Sequence, residues 1–132
     1  SQIEGTGSVV VFNKSFEIMV LTKLAEDFSN HAEWINKVLG RIVDLATPFQ
    51  GFHYYCPTQK GRYSIKKVMP AITGKGYDNL EINNGAEASV QYFNSHIKNN
   101  TPDPNLRENL LRYCCLDTEG MIWIINELNK LV

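Results

Sequence analysis

The final stretch of this 132-residue chain, Asn105 to Val132, commits it to one long amphipathic helix. Leu110, Cys114, Met121, Ile124, Ile125, Leu128 and Leu131 recur at three- and four-residue steps, the spacing of an apolar stripe. Asp117 interrupts that stripe. Tyr113 and Cys114 lie one turn before it, and Gly120 and Met121 one turn after. A carboxylate among apolar neighbours is costly unless a partner, a metal ion or a water-filled cleft stabilises it. Gly120 costs about 1 kcal/mol against alanine inside a helix, and its missing side chain removes bulk beside the acid. The spacing predicts a site on this helix rather than plain core.

The chain is long enough for an ordinary core, and a single domain over 1–132 is expected. A hydrophobic fraction of 43% with 20% charged residues excludes a disordered chain. No apolar run approaches the roughly 20 residues of a membrane helix. The longest near the end is only Met121-Ile122-Trp123-Ile124-Ile125, so no membrane partner is expected. Ser1 to Ser8 lacks the basic and apolar regions of a secretory signal. Three cysteines, two of them adjacent (Cys114 and Cys115), make a poor disulfide framework. A reducing cytoplasm is the simplest setting.

Charge is unevenly spread. The net value of −1 excludes a chain that binds nucleic acid by bulk charge, yet Lys60, Arg62, Lys66, Lys67 and Lys75 fall together with no acid between Pro57 and Tyr77. Such a stretch could meet a phosphate backbone, and Lys60, Arg62, Lys66 and Lys67 are the candidate contacts to a single-stranded nucleic acid. Phe52, Tyr54 and Tyr55 just before them could stack bases. The plainer readings are a solvated surface for the cations and a packed loop for the rings. His31, His53, His96 and the cysteines lack Cys-x-x-Cys or His-x-x-x-His spacing, so zinc is not indicated.

Along the chain, Ser8-Val9-Val10-Val11-Phe12 has the pattern of a strand buried on both faces. Asn13 or Ser15 can cap a helix through Phe28, with Phe16, Met19, Val20, Leu24 and Phe28 on its inner face. A second helix is expected over His31 to Leu39 and a second short strand at Ile42 to Leu45, ended by Pro48. Gln50 to Gly61 reads as loop. Ser64 caps a short helix, Ile65 to Met69, that Pro70 ends. Thr73 to Asn84 is loop, Gly85 to Lys98 a helix with Ala86, Val90, Phe93 and Ile97 inside, and Asn99 to Asn105 a connector. The expected fold is a helix-rich α/β domain with a small sheet. Two short strands are marginal alone, which suggests the C-terminal part of a larger domain whose first strands lie upstream of Ser1. The alternative is a compact helical domain with a small β element.

Glu17 is the second unusual acid, on the helix face shared with Val20, Leu21 and Leu24. Alone, an acid in a first helical turn needs only the macrodipole. Paired with Asp117, it could help hold a divalent cation. Carboxylate oxygens suit Mg²⁺ or Mn²⁺, and two such ions support in-line phosphoryl displacement.

These residues carry a resemblance. Val9-Val10-Val11-Phe12-Asn13-Lys14-Ser15-Phe16-Glu17 resembles the second motif of the ribonuclease-H-like 3′–5′ exonucleases of the DEDD type. Tyr113-Cys114-Cys115-Leu116-Asp117 is similar to the third motif of their tyrosine variant, Tyr-x-x-x-Asp. The chain more closely resembles the C-terminal portion of a bacterial family, domain of unknown function 2779. That likeness rests on residues 13–17, 41–45, Tyr63-Ser64-Ile65-Lys66-Lys67-Val68-Met69-Pro70, Gly85-Ala86-Glu87-Ala88 and 113–118, and spans nearly the whole sequence.

The exonuclease resemblance implies a partial ribonuclease-H-like fold, with Asp117 a metal ligand and Tyr113 orienting the attacking water. Glu17 stands where those enzymes carry aspartate, and Asn13 fixes a turn; Asp44 is expected to be structural. The first motif, Asp-x-Glu on the opening strand, is absent. Asp117-Thr118-Glu119 has the letters, but positions two apart on a helix point apart. The missing acids would lie upstream of Ser1, and this stretch alone would be inactive. The competing expectation is a non-catalytic interaction domain in which Asp117 and Glu17 are satisfied by protein groups.

Overall fold

In the computed structural model, residues 3, 5–99, 101 and 103–131 are described. Asn100 and Pro102 of the expected connector, and Val132 of the expected last helix, lie outside them. The chain divides into two compact units, Ser1–Ser64 and Ile65–Val132.

In the first unit the valine run forms β1 (Val9–Val11), which pairs in parallel with β2 (Ile42–Asp44), Val9 opposite Ile42 and Val11 opposite Asp44. A parallel pair needs a long crossover. Helix α1 (Lys14–Asp27), a 3₁₀ turn at Ser29–His31 and helix α2 (Ala32–Leu39) supply it. Ile35 and Val38 of α2 are buried with Ile42, Ala46 and Phe49. The Phe49 ring stacks on Phe12 at 6.3 Å and meets Tyr54 edge-on at 5.9 Å. Pro48, expected only to end the strand, sits in the first turn of a short helix α3 (Thr47–Gln50), where its missing N–H costs nothing.

The inner face expected of α1 is not inside. Phe16 is 54% exposed and Met19 59%, with Leu24 and Phe28 also exposed. The helical spacing is right, but a sheet of two three-residue strands is too narrow to cover a helix of 14 residues.

The second unit packs α4 (Ile65–Thr73) against α6 (Pro104–Leu128), with Val68, Met69, Leu106 and Ile124 buried. Pro70 does not end α4; the helix runs through it. Proline removes one hydrogen bond, to the carbonyl four residues back. The last turn is rebuilt by Thr73 Oγ1 donating to the Met69 carbonyl at 2.8 Å and Gly74 N–H to the Pro70 carbonyl at 3.0 Å. Gly74 then takes a positive φ of 70° and stops the helix.

Helix α5 (Gly85–Tyr92) starts where Asn84 Oδ1 accepts the Glu87 N–H at 2.8 Å. It widens into a π-helical segment, Phe93–Lys98. Val90, Phe93 and Ile97, expected inside, are exposed. Phe93 and Ile97 line an open groove with Ala88 and Tyr92 of α5 and Leu110 and Cys114 of the last helix. Among the described residues, no element covers that face. Helix α6 begins at Pro104, with Asp103 Oδ1 accepting the Asn105 N–H at 2.9 Å. A 3₁₀ turn at Asn129–Leu131 follows it. No helix among the described residues is long and apolar enough to cross a membrane.

Candidate functional site

Helix α6 carries Tyr113 and Asp117 one turn apart on one face, both half-buried in the second unit. Asp117 Oδ1 accepts the hydroxyl hydrogen of Tyr77 at 2.5 Å. Tyr77 is only 6% exposed, and its ring lies 6.0 Å from that of Tyr113, centre to centre. Lys66, in the first turn of α4, holds its Nζ 4.9 Å from the Tyr113 ring centre and 5.3 Å from that of Tyr77. The same ammonium donates to the Asn83 carbonyl. Gly85 borders the cluster, since a Cβ there would stand 3.8 Å from the Tyr113 hydroxyl.

The electrostatics follow from burial and one negative charge. Burial, then the hydrogen bond and charge of Asp117, push the Tyr77 phenol far above its ordinary value. Burial and the Asp117 carboxylate push Tyr113 up to about 12. Desolvation lowers Lys66, and the attraction of Asp117 works against that. At neutral pH the cluster therefore holds two phenols as hydrogen-bond donors beside one carboxylate, capped by a partly desolvated ammonium.

Gly120 has a different role from the one its spacing suggests. A Cβ there would overlap Met69 Sδ, so the glycine admits α4 rather than opening space at the acid. The sequence pattern also missed Tyr77. It lies in an aperiodic Gly- and Asn-rich loop, and the only available signal was a lone aromatic in that polar stretch.

Glu17, Lys60 and Arg62 belong to the first unit; Lys66 and Lys67 belong to the second. Glu17 is half-buried, and desolvation alone raises its carboxyl pKa. Lys60, Arg62 and Lys67 are exposed. Tyr54 packs on Phe49, whereas Phe52 and Tyr55 are exposed with their rings 5.7 Å apart. The aromatic loop is thus part packing and part surface. Lys75 lies with its Nζ 3.8 Å from the centre of the Trp123 ring.

Asp44 holds the β1–α1 corner. Its Oδ1 accepts the Asn13 N–H at 3.1 Å and the Ala46 N–H at 2.9 Å, and its Oδ2 accepts that of Lys14 at 2.9 Å. Asn13 takes the left-handed conformation, φ 75°, that turns the chain from strand to helix.

A divalent ion would find hard oxygen donors on Asp117, but one carboxylate does not make a site. Among the described residues no group of three or more His, Cys, Asp or Glu could hold a metal ion. Within the second unit the donor set does not fit Mg²⁺ or Mn²⁺ unless further acids join it.

The family model of Domain of unknown function (DUF2779) matches residues 1–64. That span contains residues 13–17 and 41–45 and ends with the first compact unit. The match is narrower than the resemblance drawn from sequence, since Gly85 to Ala88 and Tyr113 to Thr118 lie outside it. No curated protein and no solved structure matches the chain.

Proposed function

We propose that this chain is part of a nucleic-acid phosphodiester hydrolase of the metal-dependent 3′–5′ exonuclease type, with a partial ribonuclease-H-like fold. The observation that carries the reading is the pairing of Tyr113 and Asp117 on one face of α6, half-buried beside Lys66. In this reading Asp117 would be one ligand to Mg²⁺ or Mn²⁺ and would need further acids beside it; Glu17, in the first unit, is a separate candidate acid. The ion would polarise the scissile phosphate and lower the pKa of an attacking water. Tyr113, protonated at neutral pH, orients that water as a hydrogen-bond donor. Lys66 and the exposed Lys67 of the second unit would offset phosphate charge beside the cluster, and the exposed Lys60 and Arg62 of the first unit offer further cations to a nucleic acid.

One observation favours a second reading, an interaction domain without catalysis: the Tyr77 hydroxyl already satisfies an oxygen of Asp117. The two readings part in one experiment. The full-length protein is incubated with a 5′-labelled single strand in Mn²⁺ and in EDTA. A ladder shortening from the 3′ end in Mn²⁺ alone supports the hydrolase. An intact strand in both, with a folded protein, supports the interaction domain.

A further inference from the structure

The loop between α4 and α5 is tied down at both ends of its course. Tyr77 donates to Asp117 on α6, Glu81 accepts from Asn109 on the same helix, and the Asn83 carbonyl accepts from Lys66 on α4. Ile82, between the last two, is fully buried. A buried tyrosine hydroxyl needs only some acceptor, and a backbone carbonyl would serve. Here the acceptor is the one acid of the cluster, and the donor is held by a loop bound to both helices.

We propose that Tyr77 is a positioning residue for Asp117: its hydroxyl, 2.5 Å from Oδ1, fixes the rotamer of the carboxylate so that the acid faces the Tyr113 hydroxyl in one orientation. The inference rests on the hydrolase reading. A donor to a functional carboxylate, itself immobilised by packing, removes the rotational freedom that a half-exposed aspartate otherwise has. Lys66 completes the arrangement, with its Nζ 5.3 Å from the Tyr77 ring centre and 4.9 Å from that of Tyr113.

The test uses full-length protein with four sequences: wild type, Tyr77→Phe, 3-fluorotyrosine at position 77, and Asp117→Asn. Strand-degradation rates are resolved into kcat and KM, and the melting temperature of each is recorded. Loss of a supporting hydrogen bond of this kind typically costs about 10- to 100-fold in activity. The expected result for Tyr77→Phe is a kcat lowered by about that factor, with KM within about threefold of wild type. Fluorotyrosine keeps the shape and a stronger donor, so it restores the rate to at least the wild-type value. A Tyr77→Phe protein with wild-type kcat, alongside an inactive Asp117→Asn, overturns the positioning role and leaves the hydrolase reading standing. Equal loss in Tyr77→Phe and fluorotyrosine also overturns it, because a change in packing then explains both. Full activity in Asp117→Asn sinks the hydrolase reading itself. If Tyr77→Phe does not fold, the fluorotyrosine protein alone decides: a kcat below wild type contradicts the inference.

Discussion

Lys14 reaches both ends of β2 with its two nitrogen groups, its backbone N–H meeting Asp44 Oδ2 at 2.9 Å and its Nζ the Ile42 carbonyl at 3.0 Å. The first helix is thereby capped by a carboxylate 30 residues away rather than by its own Asn13 or Ser15. Asp44→Ala should lower unfolding free energy by about 1–2 kcal/mol, the usual effect of losing a helix cap. Asp44→Asn, which keeps one acceptor oxygen, should cost less. Urea midpoints of the three proteins, at unchanged m-value, check the order.

A second prediction concerns Gly120. Helix propensity alone says alanine there should stabilise by about 1 kcal/mol. Contact with Met69 reverses the sign, because the added methyl meets sulfur in a closed interface. Gly120→Ala should destabilise by about 1–3 kcal/mol, the range for overpacked cores. Shortening the neighbour relieves that overlap, so Gly120→Ala/Met69→Ala should lose less stability than the sum of the two single losses. Thermal unfolding of the four-protein cycle measures it.

Tyr113 sets a pH dependence. Its folded value of about 12 lies above the unfolded value of about 10. Between those values the native protein holds a proton that the unfolded chain has released, so stability falls as pH rises through that window. Below pH 10 both states are protonated and the phenol contributes no slope. Tyr113→Phe should therefore show a shallower loss of stability between pH 10 and 12 than wild type. Absorbance of tyrosinate near 295 nm in the native protein should lag that of the unfolded chain across the same range.

Glu17 predicts opposite effects on stability and function. Desolvation raises its carboxyl pKa, and among the described residues no hydrogen bond or ion pair offsets that. With the folded value above the unfolded one, stability falls as pH rises through the interval and stays reduced at neutral pH. Glu17→Gln should leave the melting temperature at pH 7 unchanged or raised and, on the proposed hydrolase reading, slow strand degradation in the full-length protein. Destabilisation by the glutamine would contradict the electrostatic account.

Local periodicity carried the elements and failed at their cover. The valine strand, its crossover helices and the helix over Pro104–Leu128 follow from apolar spacing and capping residues. Exposure of Phe16, Met19, Val90 and Phe93 does not, because spacing tells which residues share a face and not whether another element lies over it. Pro70 misled for a different reason: one lost hydrogen bond is tolerable where Thr73 and Gly74 bond back four residues along the same helix, which apolar spacing does not report. At the site, Tyr113 and Asp117 were legible as a break in a stripe. Asp44 was expected to be structural, and it is; Tyr77 was not legible, since it acts on a partner 40 residues distant through a single hydrogen bond that leaves no periodic trace.

The most direct measurement is the rate at which full-length Asp117→Asn degrades a single strand in Mn²⁺, compared with wild type at matched melting temperature. On the proposed hydrolase reading, loss of the Asp117 carboxylate should reduce the rate by at least about 100-fold, on the scale of one strong transition-state interaction. Degradation at the wild-type rate by a folded Asp117→Asn protein would contradict the account.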